Sequence, residues 1–523
     1  MLNNLFKKKK KAPTYEQTAS FPTGGGSTYG SRYVTPIITV PWTGEKNPGE
    51  IGIIKQYIPD HRALRLRSWQ AYAESDVVQG IIESYVDWVI GEGLTPHANP
   101  QVDFLQQKGI TLPTDFNTQV ENHFKLFINS KHSIVGKETS LVFKNREVLR
   151  NAMISGDTLV VLNVDDNTNL QVRCYDGDQV SAPIIGTHRQ EAKNRGNRII
   201  HGVEVDDNNQ HVAYYVYDHK EHKRIPAYEE ETGLRVAWLV YGQKMKYDHV
   251  RGVPLITAIL ESIKKLDRYK EAMIAGSEER AKVAYQILHS AQSSNENPLV
   301  KNFASALPLN TQIDGGANDP TRDGINLQQK FASTVSKTIF DMPLETELKA
   351  ISSDVEFSFK EFFESNVMAV CTAVGVPYEV AMKKFGNNFS ASRAALKMWE
   401  HIMKINRSHF AFQFNQPIFQ AWMLLADIRG DISAPGLFNA FALENDQMTV
   451  EAYTRAKFIG PSVPHVDPTK EVRAEREKLG PEGKNIPLTS PQEAATNLGG
   501  GDIDIIKENF DKQIEGFTNV EAE

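Results

Sequence analysis

The hydrophobic side chains of residues 61–93 ("HRALRLRSWQAYAESDVVQGIIESYVDWVIGEG") repeat at helical spacing. The repeat consists of Val77, Ile81, Ile82, Tyr85, Val86 and Val89. Apolar residues three or four positions apart share one face of an α-helix, and the glycines Gly91 and Gly93 favour its end. We therefore predict two helices here, and the same spacing predicts further helices in residues 116–129 and 139–156.

A block of short strands follows these helices. Runs rich in β-branched and aromatic residues are separated by turn-forming clusters such as "DDNTN" and "DDNNQ". The runs are "DTLVVLNV", "LQVRCY", "HGVEVD", "HVAYYVYD" and "VAWLVY", within residues 157–241. We expect an antiparallel meander that packs on the preceding helices.

Residues 253–290 predict one long helix. Pro254 suits the first helical position, and no other proline follows before Pro298. The apolar positions form a discontinuous stripe, Ile256, Ile259, Leu260, Ile263, Leu266, Met273, Val283, Ile287 and Leu288. At ~1.5 Å per residue such a helix would be about 55 Å long, so it would need neighbours along its whole length. Other copies of the same chain are a simple source of those neighbours.

A second helix is predicted over residues 359–374. Ser358 and Glu361 have the spacing of a capping box, and a glycine and a proline follow the segment directly. Before this helix, residues 291–333 are polar and rich in turns, and the alternation over residues 344–350 predicts an amphipathic strand. The pattern therefore predicts a small β-containing arm bracketed by two helices.

Residues 383–407 ("KKFGNNFSASRAALKMWEHIMKINR") change character in the middle, from a basic loop to an alanine-rich helix. The apolar positions of the helical part are Ala391, Ala395, Met398, Ile402 and Ile405. We predict a helix over residues 391–415 and a second helix that starts at Pro417. Weaker helical patterns occur near residues 468–478 and 502–515.

Composition narrows the class of protein. With 523 residues, 40% hydrophobic residues and a mean hydropathy of -0.40, the chain predicts a soluble protein with a substantial core. Cys174 and Cys371 match no metal or redox spacing, which favours a reducing intracellular compartment. No apolar run approaches the ~18–20 residues of a membrane-spanning helix, and no apolar segment follows the first lysines as in a secretory signal.

The two ends of the chain differ in charge. Residues 1–35 hold six basic side chains and one acidic, whereas residues 467–523 hold seven basic and 13 acidic. Both ends are rich in residues that do not build a core, so neither predicts a packed domain. The basic residues include the run Lys7, Lys8, Lys9, Lys10 and Lys11. This run is either a solvated tether or a nucleic-acid contact, and its composition favours the tether.

The chain has no recognisable phosphate-binding loop, because "GPEGK" at residues 480–484 has too few residues between its glycines. His219 and His222 lie three positions apart without a third ligand nearby, so two polar histidines are favoured over a metal site. Paired aspartates could in principle serve a two-metal nuclease. They lie in turn sequences, where aspartate satisfies local backbone donors, and the turn interpretation is favoured. The aspartates concerned are Asp165, Asp166, Asp206, Asp207, Asp176 and Asp178.

Five aromatic residues cluster within residues 410–422. The cluster consists of Phe410, Phe412, Phe414, Phe419 and Trp422. Such rings could stack on nucleobases, but their position beside apolar helix residues favours core packing. We therefore predict no catalytic residue, metal or cofactor, and expect a protein that is not an enzyme.

Two stretches of the sequence, taken together, resemble a known protein family. Residues 249–275 ("HVRGVPLITAILESIKKLDRYKEAMIA") precede residues 374–402 ("VGVPYEVAMKKFGNNFSASRAALKMWEHI"), and together they resemble the lambda family of tailed-phage portal proteins. Three further segments fit that family in order, "SDVVQGIIESYVDWVIGEGLTP", "EVLRNAMISGDTLVVL" and "DPTKEVRAEREKLGPEG". The likeness extends over roughly residues 60–480 and is most specific around "RGVP" and "SASRA".

The resemblance implies an α+β portal-protein fold that is mainly helical, with an antiparallel β wing, a two-helix stem, a small α/β clip and a helical C-terminal crown. The expected parts are a disordered basic arm (1–36), the wing (37–250), the first stem helix (251–290), the clip (291–356), the second stem helix (357–376), a channel or tunnel loop (377–390), long wing helices (391–428), a wing return (429–466) and an acidic crown or tail (467–523).

The resemblance also implies a role for the loop after the second stem helix. In this family that segment projects into a central channel, so Lys383, Lys384, Asn387 and Asn388 would face DNA. Lysines and amides contact phosphate oxygens without reading bases, which suits a sliding duplex. The alternative is that the lysines are merely solvated, and the DNA-facing interpretation is favoured.

By resemblance, the protein would form a dodecameric ring at one vertex of a virion capsid, after assembly in the host cytoplasm. Double-stranded DNA would pass through the ring without sequence specificity. The expected partners are the major capsid protein and scaffold, the terminase large subunit, and head-completion or adaptor proteins, with no membrane. Two alternatives remain open, a metal-dependent DNA nuclease and an assembly scaffold without a channel.

Overall fold

The structure is a computed structural model of the protein. It describes residues 37–41, 55–165, 168–183, 186–218, 221–230, 232–287, 331–334, 337–341, 359–384, 389–461, 468–480, 487–499, 503, 506–507 and 510–511. The predicted basic arm, including Lys7–Lys11, lies outside the described residues. The chain divides into two compact units, residues 1–60 and residues 61–523. The described part of the first unit is an antiparallel pair of strands, β1 (Ile37–Pro41) and β2 (Lys55–Pro59).

The second unit starts with a group of helices. Its first elements are α1 (His61–Glu74), α2 (Asp76–Val89), β3 (Thr95–Ala98), α3 (Val102–Gln107), α4 (Phe116–Asn129) and α5 (Leu141–Ser155). The predicted helices are confirmed. The buried face of α2 follows the predicted spacing, except that Val78 is fully buried and Val77 only half-buried. Gly91 and Gly93 end this segment with positive φ angles of 59° and 137°, which glycine adopts without a Cβ penalty.

The strand block is antiparallel, as predicted, but it forms two sheets instead of one meander. Its elements are β4 (Asp157–Val164), β5 (Leu170–Asp176), α6 (Gly186–Asn194), β6 (Arg198–Ile200), β7 (Val203–Val205), β8 (His211–Asp218), β9 (Glu221–Pro226) and β10 (Ala237–Tyr241). One sheet has the order β10-β4-β5 and the other β6-β7-β8-β9. The helix α6 and the strands β6 and β9 were not predicted.

The two sheets arise because β4 is apolar on both faces. Val160 and Leu162 pack with the main helical core, whereas Leu159 and Val161 pack with a second cluster. That second cluster also contains residues of the four-stranded sheet, including Tyr214. The three-stranded sheet therefore lies between the helices and the other sheet, as expected for a strand buried on both sides.

The predicted long helix is shorter than expected. Pro254 caps a 3₁₀ segment, Leu255–Ile259, which continues directly into α7 (Leu260–Lys282). The chain then becomes a strand, β11 (Val283–Ile287), so the predicted helical extent to residue 290 is wrong. Alternating Val283, Tyr285 and Ile287 favour a strand because β-branched and aromatic side chains fit a pleated surface.

β11 belongs to a small mixed sheet. Its partners are β12 (Phe331–Thr334) and β13 (Lys337–Asp341), with β13 in the centre. β11 pairs with β13 in parallel, and β12 pairs with β13 antiparallel. Most of the predicted clip, including the predicted strand over residues 344–350, lies outside the described residues.

The predicted helix over residues 359–374 is confirmed with the same bounds. It is α8 (Phe359–Val374), and it packs against α7. The short helix α9 (Tyr378–Ala381) follows, and then come α10 (Phe389–Gln413) and α11 (Asn415–Arg429). The predicted break between the last two helices is confirmed, with Pro417 in the first turn of α11.

The C-terminal part returns to the N-terminal helices. Its elements are α12 (Leu437–Ala442), α13 (Gln447–Thr454), β14 (Ala456–Ile459), α14 (Pro468–Lys478) and α15 (Pro491–Gly499). β14 pairs antiparallel with β3, with Ala456 opposite Ala98. The weak helix predicted at residues 468–478 is confirmed, whereas most of the one at residues 502–515 lies outside the described residues.

The main core joins aromatic residues from distant helices. Phe124 of α4 meets Phe419 and Trp422 of α11, with ring centroids 4.9 and 5.0 Å apart. Phe410 and Phe414 are also buried. The prediction of core packing is thus confirmed for four of the five aromatic residues in the predicted cluster. It is wrong for Phe412, whose side chain is 71% exposed, because this residue faces away from the core on α10.

Candidate nucleic-acid interface

The two lysines of the predicted channel segment lie in the turn that closes α9. The backbone N–H groups of Lys383 and Lys384 donate to the carbonyl oxygens of Val380 and Glu379. Lys383 has a φ of 51°, in the left-handed region, and both lysines are exposed. Asn387 and Asn388 lie outside the described residues, so only the lysine half of the predicted segment has a described position.

Lys384 forms an ion pair that the sequence did not indicate. Its Nζ lies 3.0 Å from Oε1 of Glu364 on α8. The hydrogen bond from Lys384 lowers the pKa of Glu364, and the same bond raises the pKa of Lys384. Both side chains border solvent, so this pair is readily exchanged for other partners. The charge of Lys384 is therefore shared with a carboxylate.

The lysine turn follows a short helix that packs against the body of the second unit. Val380 of α9 is buried, and α9 packs against both α2 and α8. The hydroxyl of Tyr85 on α2 donates to the carbonyl oxygen of Val374 at the end of α8. Gly375 follows with a φ of 74°, which allows the chain to turn sharply into α9. The position of the lysines is therefore set by the body of the second unit.

The "RGVP" motif forms a buried hub between the sheet and α7. Both nitrogen ends of the Arg251 guanidinium meet Asp157, with Nη2 2.7 Å from Oδ1 and Nε 2.8 Å from Oδ2. The remaining N–H groups donate to the carbonyl oxygens of Gly177, Val180 and His201. Every guanidinium donor thus has an acceptor, which is the condition for burying this group.

A second arginine completes this hub. Nη2 of Arg65 on α1 lies 3.1 Å from Oδ1 of Asp157, and its Nε donates to the carbonyl oxygen of Ser155. Burial raises the pKa of the Asp157 carboxyl, but Arg251 and Arg65 outweigh that effect, and the pKa lies below its ordinary value. Burial and neighbouring positive groups lower the pKa of His61 to about 3, so this ring is neutral beside the hub.

Two glycines let the backbone segments of the hub approach closely. A Cβ atom on Gly252 would lie 2.0 Å from the carbonyl oxygen of Gly156. The N–H of Gly252 donates to Oδ2 of Asp157, so this residue is held at the carboxylate. Pro254 then starts the helical segment that leads to α7. The motif therefore fixes where the long helix leaves the sheet.

A second charged cluster lies within the four-stranded sheet. The fully buried carboxylate of Glu204 accepts hydrogen bonds from Arg224, Arg195, Asn197 and Tyr215. Burial raises the pKa of Glu204, but the bonds from Arg224, Arg195 and Asn197 outweigh burial and lower it to about 2. Neither this cluster nor the Arg251 hub was predicted from the sequence. The single glutamate in the apolar run "HGVEVD" was a signal for the Glu204 cluster.

The paired aspartates behave as turn residues. Oδ1 of Asp206 accepts the backbone N–H groups of Asn208 and Gln210, and Asp165 accepts the N–H of Asn169. The turn interpretation is therefore confirmed at these two positions, and Asp166 lies outside the described residues. Asp176 accepts a hydrogen bond from Asn151 at the end of β5.

Of the two candidate metal histidines, His222 lies within the described residues. His222 is half-buried, with Nε2 3.2 Å from the Ser181 hydroxyl, and His219 lies outside the described residues. Among the residues that the structure describes, no group of three His, Cys, Asp or Glu side chains could hold a metal ion. Burial raises the pKa of the free thiols Cys174 and Cys371 to about 12 and about 11. No helix in the described part of the chain is long and apolar enough to cross a bilayer.

Residues 43–406 match the family model described as "Phage portal protein, lambda family". The match covers more than half of the 523-residue chain. No curated protein matches the chain.

Solved structures of gene transfer agent (GTA) particles are similar to the chain at low identity. The neck of an empty GTA particle computed with C6 symmetry has 12% identity and a TM-score of 0.41, covering 84% of this chain and 94% of that one. The virion of a native GTA particle has 11% identity and a TM-score of 0.39, covering 84% and 93%. The neck of the native particle computed with C12 symmetry has 12% identity and a TM-score of 0.34, covering 79% and 97%.

Proposed function

The chain belongs to the lambda family of phage portal proteins, and we propose that it forms a dodecameric ring at a unique capsid vertex. The ring would be the channel through which double-stranded DNA is packaged and later ejected. The observation that carries this proposal is the family match over residues 43–406. The exposed surfaces of the described helices add physical support.

Apolar side chains on α7 and α8 support the ring. Ile274, Phe359, Phe362 and Met368 are exposed in the single chain. Ile274 and Phe359 also line a cleft of about 560 Å³ between the two helices. An exposed apolar surface of this kind indicates an interaction site. We assign α7 and α8 to the stem, where neighbouring copies would cover these residues.

The lysine turn supports a contact with DNA. Lys383 and Lys384 follow the proposed stem after the short helix α9, and both are exposed. Repetition around a ring turns two lysines per chain into a band of positive charge, whose attraction for phosphates weakens as salt rises. A phosphate oxygen can replace the Glu364 carboxylate as the partner of Lys384, because both offer anionic oxygens to an exposed ammonium group. This exchange would let the duplex slide past the ring without forming a lasting contact.

The other partners follow from the same proposal. We assign residues 291–356 to a clip that contacts the terminase large subunit and head-completion or adaptor proteins. The remaining outer surface would meet the major capsid protein and scaffold, within the virion and during assembly in the host cytoplasm. ATP hydrolysis and DNA cutting would belong to the terminase, so the proposed ring itself carries no catalytic step.

Electron microscopy of the purified full-length chain tests the proposal. We expect rings with a central hole wide enough for a duplex. Particles without a hole would favour a non-channel scaffold, and single compact chains, even with capsid protein and scaffold added, would overturn the ring. Incubation with supercoiled plasmid and Mg²⁺ or Mn²⁺ should leave the plasmid intact, whereas cleavage would favour a nuclease.

A further inference from the structure

One face of α10 carries an exposed apolar row. Met398, Ile405 and Phe412 are 62%, 57% and 71% exposed. They recur every seven residues, so they lie nearly in line along a helix and span about 21 Å at ~1.5 Å per residue. The opposite face of α10 is buried through Trp399, Met403 and Phe410. The row, called here the α10 row, is therefore a second apolar face that the single chain leaves uncovered.

The α10 row has a basic flank. Lys397 and Lys404 repeat with the same seven-residue spacing and are exposed. Their Nζ atoms lie 2.9 and 3.0 Å from the two oxygens of one carboxylate, Glu400. Lys404 also donates to Oδ1 of Asn497 on α15, and both lysines border the cleft between α10 and helices α14 and α15. Because two ammonium groups share one carboxylate, this flank keeps a net positive charge.

A second group of exposed apolar side chains lies on the packed pair α12 and α13 and in the turn between them. Phe438, Leu443 and Met448 are exposed, with Leu443 at 75% and Met448 at 63%. Two exposed carboxylates lie close to them in sequence, Glu444 next to Leu443 and Glu451 three positions after Met448. These five residues are called here the α12–α13 surface. Asp446 of the same turn is not counted in this surface, because it is half-buried with its carboxylate 3.1 Å from the Lys108 ammonium.

The two surfaces are complementary in chemistry. Each joins three exposed apolar side chains with two charged ones, positive on α10 and negative on α12–α13. Within one chain, α11 packs against α10, α12 and α13, yet both surfaces stay exposed. Contact between two different surfaces of identical chains is head-to-tail, and such contacts close into a ring when the rotation permits.

We propose that the α10 row of one copy packs against the α12–α13 surface of the next copy. Lys397 and Lys404 then face Glu444 and Glu451 across the contact, while the apolar side chains form its centre. Charged rims of this kind select the partner and its register. This inference rests on the proposed ring, and it names the surfaces outside the stem that hold neighbouring copies together.

Charge reversal tests the pairing. Lys397→Glu with Lys404→Glu, and separately Glu444→Lys with Glu451→Lys, should each raise the protein concentration for half-assembly by about tenfold or more, because like charges then face each other. Mixing the two variants should restore assembly, since each offers the surface that the other lacks. Arg189→Glu with Lys193→Glu on α6 is the matched control and should change assembly less than about twofold. Far-UV circular dichroism verifies that each variant folds.

Crosslinking gives an independent readout. Ile405→Cys and Leu443→Cys, mixed and treated with a short bismaleimide, should form a crosslinked dimer that neither variant forms alone. If wild-type rings form and neither charge reversal weakens them, the pairing is wrong and the proposed ring still stands. The same holds if mixing the two variants does not restore assembly. Absence of wild-type rings would overturn both proposals. If deletion of residues 500–523 abolishes assembly while both charge reversals leave it unchanged, the α10 row binds the acidic tail. That result would overturn the pairing.

Discussion

The guanidinium of Arg251 and the carboxylate of Asp157 form a bidentate ion pair between residues 94 positions apart in sequence, and both side chains are fully buried. Arg251 belongs to the "RGVP" motif, and Asp157 begins β4. The pair therefore joins the sheet to the start of the segment that becomes α7. Because α7 is assigned to the stem, this hub sets the direction in which the proposed stem leaves the body.

Asp157→Asn should destabilise the second unit strongly. The change leaves two buried guanidinium groups, Arg251 and Arg65, without their counter-charge, and breaking a buried pair costs about 3–5 kcal/mol. Chemical denaturation followed by circular dichroism measures the loss in the free energy of unfolding. Asp178→Asn is the matched control, because that exposed carboxylate lies 3.8 Å from Arg65 and should contribute less than about 1 kcal/mol. Equal losses for the two variants would contradict the role of the hub.

Gly252→Ala should also destabilise the protein. The new Cβ would lie 2.0 Å from the carbonyl oxygen of Gly156, so one of the two backbone segments has to move. Overpacking of this kind costs at least about 1–3 kcal/mol. Gly136→Ala serves as the control, since its nearest neighbour is Cγ of Glu138 at 3.9 Å. A thermal melt of Gly252→Ala that matches the wild type would show that the segments are not in close contact.

Lys383→Glu with Lys384→Glu should reduce DNA retention after packaging while rings still assemble. The change replaces the proposed band of positive charge by a negative one, which repels phosphates. Retained DNA per particle, and duplex binding by purified rings at several salt concentrations, measure the effect. Glu364→Gln should act in the opposite direction and strengthen binding, because it removes the carboxylate that holds Lys384. Unchanged retention in the double variant would remove this turn from the mechanism.

Glu204 should contribute to acid denaturation. Its pKa is about 2 in the folded protein against an ordinary value of 4.5, so the unfolded chain binds the proton first as the pH falls. The stabilisation is complete above about pH 4.5 and is lost progressively toward pH 2. Glu204→Gln should lower stability at pH 7 and flatten the pH dependence over this window in denaturation curves. Glu221→Gln, an exposed change on β9, should keep the wild-type slope.

Local pattern was enough to find most helices. The spacing of apolar residues located α2, α4 and α5, and the capping-box spacing with the glycine and proline that follow located α8. The proline at position 417 located the break between α10 and α11. These features depend on neighbours within a few residues, where a helical or extended period is visible directly. The same pattern overestimated the long helix, because β11 follows Lys282 and pairs with a strand more than 50 positions later.

The sequence alone predicts the order and type of the main elements, the exposure of Lys383 and Lys384, and the family motifs. Four features emerge only in the folded chain: Arg251 meets Asp157, Lys384 meets Glu364, β4 contributes to two cores, and Phe412 faces solvent. Backbone preference acts between near neighbours, whereas ion pairing and burial depend on which distant segments the whole chain brings together.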